Sequence, residues 1–119
     1  MSYKIILPFL ICFLLAGCPA TLKVALTNDT DSAISVLYST GFKSEIKAGE
    51  IKKEHYKFDC VRIKSGETVY EFQPIRPPKN YVDQGVFSSS VNAIFTKDNE
   101  LKIYVKSDPD KSLGLKKGC

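Results

Sequence analysis

Val91-Asn92-Ala93-Ile94-Phe95-Thr96-Lys97-Asp98-Asn99-Glu100-Leu101-Lys102-Ile103-Tyr104-Val105-Lys106 shows the architecture of the chain most directly. Leu101, Ile103 and Val105 fall on one face of an extended segment, with Lys102, Tyr104 and Lys106 on the other. That alternation is what a half-buried strand requires, because successive side chains point to opposite faces. Val91 to Thr96 precedes it, and Lys97-Asp98-Asn99-Glu100 forms the turn between them, so the stretch reads as an antiparallel hairpin. Working back, Ser65-Gly66 makes a second hairpin into Thr68-Val69-Tyr70-Glu71-Phe72. From Ile51 to Lys64 the pattern is one long or two consecutive strands. Tyr56, Phe58 and Cys60 share a face, whereas Val61 and Ile63 sit on the opposite parity. A change of parity predicts a bulge or a crossing between sheets near Cys60.

Gly41 and the turn Lys47-Ala48-Gly49-Glu50 bracket a short segment from Phe42 to Ile46. Ile34, Val36 and Tyr38 alternate with Ser35 and Leu37, which predicts a strand covered on both faces. Asn28-Asp29-Thr30-Asp31-Ser32 is a turn cluster whose short polar side chains bond to their own backbone. Before it, Leu22-Lys23-Val24-Ala25-Leu26-Thr27 places its large apolar side chains on one face. No stretch after residue 20 sustains helical spacing. About seven short strands at regular intervals predict an all-β fold, a small antiparallel β-sandwich. The spacing is immunoglobulin-like or transthyretin-like, and a small β-barrel is the alternative.

The first eighteen residues carry an address. Lys4 lies in a short polar start, and an apolar run follows from Ile5 to Ala16. These are the parts of a secretory signal peptide. Twelve residues with Pro8 among them fall short of the roughly 20 needed to span a bilayer core. Leu15-Ala16-Gly17-Cys18 resembles the lipobox of bacterial lipoprotein precursors, in which cleavage falls just before the cysteine. The resemblance implies a signal peptide over 1–17 and lipidation at Cys18, anchoring the protein to a membrane outside the cytoplasm. A secretory signal cut elsewhere is the competing reading, since small residues also sit near position 20. Two or three acyl chains give stable anchoring, at about 0.8 kcal/mol per buried methylene. Pro19 stands where aspartate would signal inner-membrane retention in enteric-type sorting. The resemblance therefore implies the outer membrane, facing the periplasm, over the inner membrane. Residues 18–21 form a very short tether, which sets the domain nearly on the bilayer.

Removing residues 1–17, which carry one lysine, leaves 102 of the 119 residues and lowers the formal charge from +4 to +3. That is one small domain, expected over 22–106 with a C-terminal tail over 107–119. Its charges are interleaved: Lys52, Lys53 and Lys57 surround Glu50, Glu54 and Asp59, which reads as a solvated face. No dense basic patch of the kind that binds nucleic acid is present.

Cys12 leaves with the signal, and Cys60 and Cys119 remain beside Cys18. In an oxidising envelope two remaining cysteines most simply pair with each other. Their separation of 59 residues gives roughly 4 kcal/mol in the chain-entropy model, and the bond would staple the tail. Free thiols, or an intermolecular bridge through Cys119, are the other possibilities. No Cys-x-x-Cys spacing supports redox chemistry.

Catalytic and metal signatures are weak. His55, the only histidine, can be drawn with Glu54 or Asp59 as a general base, but alternation places it among exposed lysines. Ser88-Ser89-Ser90 lacks a nucleophile-elbow context. Asp29 with Asp31, and Asp108 with Asp110, lack the glycine and distal glutamate of a calcium loop. No cofactor and no enzyme activity are expected. Gln73 to Ser90 stands out, with Arg76, Pro77, Pro78 and Tyr81 as residue types that anchor protein contacts. Ile75, Val82 and Phe87 in the same stretch fit equally a flap folded over the open end of the sandwich. The expected role is a protein-binding accessory or assembly component of an envelope complex. An inhibitor or exclusion factor against a toxin, lysozyme or receptor is the alternative. A small-ligand or lipid carrier ranks third, because a sandwich of about 100 residues leaves little room inside.

Overall fold

The computed structural model describes residues 21–56, 59–84 and 88–119. The chain forms β1 (Thr21–Asn28), β2 (Ile34–Leu37), β3 (Lys43–Ile46), β4 (Ile51–Tyr56) and β5 (Val61–Ser65). It continues as β6 (Thr68–Phe72), a 3-10 turn (Lys79–Tyr81), β7 (Val82–Gln84), β8 (Ser88–Phe95), β9 (Leu101–Val105) and β10 (Asp108–Gly114). The strands make two sheets, one in the order β10-β9-β8-β1-β4 with β7 also on β8, the other in the order β3-β2-β5-β6. Both sheets have free edges, so the fold is a small β-sandwich and not a closed barrel.

The hairpin of β8 and β9 pairs Asn92 with Tyr104, Ala93 with Ile103 and Phe95 with Leu101. Asn99 closes its turn at φ +60°, a left-handed conformation that asparagine tolerates better than most residues. Gly66, at φ +62°, fills the first central position of the two-residue turn between β5 and β6, where a type II′ turn requires positive φ. The parity change near Cys60 is a crossing: β4 belongs to one sheet and β5 to the other. Among the described residues, all strand pairings but one are antiparallel. β1 lies parallel to β8, with Val24 opposite Val91 and Leu26 opposite Ala93. A parallel pair needs a long connection, and here 59 residues and the whole second sheet lie between the two strands.

Leu22, Val24 and Leu26 of β1 point into the space between the sheets, as do Val91, Ala93 and Phe95 of β8. Ile34, Ile46, Ile63 and Phe72 meet them from the opposite sheet. Asn28 is fully buried at the end of β1. Its Nδ2 donates to the carbonyls of Ser32 and Ile46, and its Oδ1 accepts from the amide and hydroxyl of Thr30. One amide thus fixes the turn into β2 and ties it to β3, which carries through the expected self-bonding turn.

Residues 107–119 are more than a stapled tail. Asp108–Gly114 forms β10 on the edge of β9, with a register shift between Asp108 and Ser112. The amide of Leu115 then donates to Leu101 O, that of Gln73 to Lys116 O, and that of Gly118 to Glu71 O. The domain therefore includes these residues. Every residue of β10 is exposed, so no apolar alternation marks it; backbone hydrogen bonds place it on the edge. Pro109 falls within the irregular stretch, where a missing N–H is tolerated. A disulfide joins Cys60 to Cys119, with Cα atoms 6.1 Å apart.

Candidate functional site

Between the sheets lies a cavity of about 230 Å³. Val24 and Leu26 form one wall, Val36 the facing wall, and Ala93, Leu101 and Ile75 the inner end. Ser39, His55, Asp59 and Arg62, all exposed, mark its mouth, beside Tyr38 and Cys60. The opening lies where β4 of one sheet gives way to β5 of the other.

Glu54 stands in the wall of this cavity. Its register on β4, opposite Val24, turns it inward, and it is buried. Tyr38 Oη donates to Glu54 Oε2 and Ser44 Oγ donates to Glu54 Oε1. The carboxylate of one sheet thus accepts from two hydroxyls of the other, β3 supplying Ser44 and the end of β2 supplying Tyr38. Burial, then the hydrogen bond to Glu54 and its negative charge, push the Tyr38 phenol well above its ordinary value of 10. All three act alike, since each disfavours a phenolate at this point. Among the described residues, no buried side-chain nitrogen or oxygen lacks a partner.

By sequence alone Glu54 belongs with the solvated charges around it. Lys52 and Lys53 are exposed, but Glu54 shares the parity of Val24's facing position and not that of His55. His55 is exposed on the other face of β4, so it and Glu54 form no acid–base pair. Asp59 is exposed and has an interaction of its own. Ser89 and Ser90 are half-buried ladder residues of β8, paired on one side with β1 and on the other with β7. Asp29 and Asp31 sit exposed in a turn, with Asp31 Oδ1 3.9 Å from Lys97 Nζ; Asp108 and Asp110 are exposed on β10. Among the described residues, no three His, Cys, Asp or Glu side chains converge to hold a metal.

The stretch from Gln73 to Ser90 divides into a strap and a strand. Val82–Gln84 is β7, paired with Ser89 to Val91 of β8, and its Val82 is half-buried. Ahead of it, Ile75 and Tyr81 are sunk in the core at 2% and 6% exposure. Arg76 and Pro78 are exposed and Pro77 is half-buried. Tyr81 is therefore a correction to the expected contact residues: its ring belongs to the core, because the 3-10 turn after Pro78 rotates it inward. Phe87 and the lipobox with Cys18 lie outside the described residues. Among those residues, no helix is long and apolar enough to cross a membrane. No protein-family model matches the chain, and neither the curated proteins nor the solved structures contain a match to it.

Proposed function

We propose that the chain is a lipid-anchored protein of a bacterial envelope that works by binding, as an accessory or assembly component of an envelope complex. The lipobox supports the anchor at Cys18, and Pro19 supports the outer membrane facing the periplasm. The observation that carries the binding role is the strap. Ile75 and Tyr81 pin it into the core while Arg76 and Pro78 face solvent between them. Two adjacent prolines stiffen that segment and withhold backbone donors. A contact surface held in one conformation before binding loses little entropy on association. Arginine is among the residues that carry most binding energy at interfaces.

The test is crosslinking of the lipidated protein in its native membrane, beside an Arg76→Ala/Pro78→Ala variant. A stoichiometric envelope partner, lost in the variant, is the expected result. Capture of a foreign protein only when it is supplied would shift the reading to an inhibitor or exclusion factor. Undiminished capture by the variant would move the contact surface away from the strap.

A further inference from the structure

We infer that the cavity between the sheets is a binding site for a single acyl chain. Its volume of about 230 Å³ exceeds the roughly 150 Å³ of an engineered cavity that takes benzene, and by proportion it fits about nine carbons. The walls formed by Val24, Leu26, Val36, Ile75, Ala93 and Leu101 are aliphatic, so the interior repels water. The polar group in those walls is already satisfied: both Glu54 oxygens accept hydroxyls, from Tyr38 and Ser44. An occupant is asked for no hydrogen bond inside, which favours a plain hydrocarbon over a polar ligand. The polar end of the occupant lies at the mouth, among Ser39, His55, Asp59 and Arg62.

The position of the mouth selects the acyl chain among apolar bodies, and that step rests on the membrane-anchored reading. Leu22 pairs with Tyr56, so β4 ends beside the start of β1, and Asp59 and Cys60 follow within four residues. The mouth thus opens on the side where β1 begins, and Cys18 stands three residues before Thr21 in the sequence. The hydrocarbon has two sources with one chemistry, a chain carried by Cys18 itself or one from a membrane amphiphile.

The experiment uses the full chain with Cys18→Ser and titrates it with sodium nonanoate, following methyl resonances by NMR. Saturable shifts are expected at Val24, Leu26 and Val36, with none at the exposed Val69 and Leu113 and none from acetate. Ala93→Leu, which fills the inner end, should weaken binding at least tenfold. Should that variant fail to fold, Val36→Ile fills the facing wall by one methylene and should weaken it severalfold. Absence of saturable core shifts, or unchanged affinity in a folded cavity-filled variant, would overturn the inference. The lipidated protein then separates the sources. Refusal of nonanoate assigns the site to the Cys18 chain, and uptake assigns it to a membrane amphiphile. A bare Cys18 by mass spectrometry would defeat the anchor while leaving the nonanoate result standing.

Discussion

Where β6 meets β8, the sandwich is closed by rings: Phe72 packs edge-on against Phe95 at 6.3 Å and Tyr70 lies 5.9 Å from the same ring. Lys117 Nζ caps Tyr70 at 5.9 Å. Where β3 meets β4, the closure is one carboxylate held by two hydroxyls, with open space beside it. The first side gains from apolar area removed from water and tolerates no gap. The second gains little net energy, since a buried charge must first be desolvated, but it fixes distance and register between the sheets. A sandwich built this way can stay closed at one flank and keep a cavity at the other.

The largest effect should follow from breaking the closed side. Phe95→Ala removes a fully buried ring that both aromatic partners share, and should cost about 3–5 kcal/mol in urea denaturation. A loss below about 1 kcal/mol would mean that the rings are not what holds this flank. Next comes the staple. Replacing Cys60 and Cys119 together with serine should cost about 2–4 kcal/mol. The loss should sit toward the lower figure, because backbone bonds from Gln73 and Gly118 keep residues 116–118 beside β6.

On the open side, Glu54→Gln keeps the shape and removes the charge. It should cost about 1–3 kcal/mol, as both hydroxyls lose a charged acceptor and one of them faces an amide NH2 instead. Tyr38 gives the same flank a pH signature. Its phenol keeps its proton above the pH at which it would ionise in the unfolded chain. The stability it contributes is complete below about pH 10 and declines as pH rises from there toward the folded value. Denaturation at pH 9 and pH 11 should show that decline in the wild type and a smaller one in Tyr38→Phe. Equal slopes would show that burial and Glu54 do not hold the proton on Tyr38.

The two flanks also differ in how far they could be read from sequence. Strands β1, β2, β5, β6, β8 and β9 announce themselves by alternation, since each has one face in the core. The parity change at Cys60 leaves a bulge and a crossing open, and the sheet order makes it a crossing. Glu54 is not legible in the pattern, because its neighbours Lys52, Lys53 and His55 are exposed and β4 offers a single described inward residue that is charged. Ser44, two positions before the buried Ile46, held a faint signal of the same site. β10 left none: its placement is made of backbone bonds, which side-chain patterns do not encode. The parallel pairing of β1 with β8 is likewise a property of the assembled sheet, which neither strand's own pattern encodes.

The strap tests whether a segment can belong to the core and to the surface at once, and it carries the smallest expected effect on stability. Arg76 projects to solvent from a segment whose hold on the protein comes through Ile75 and Tyr81. Arg76→Ala should therefore change stability by less than about 0.5 kcal/mol, as surface substitutions away from caps and cores do. Ile75→Ala, one residue earlier, empties a buried site that also lines the cavity and should cost about 2–4 kcal/mol. A tenfold gap in equilibrium constant or more between neighbouring residues is what an in-and-out strap requires. Comparable losses at both positions would show that the arginine is structural, and the contact surface would then have to be sought elsewhere on the sandwich.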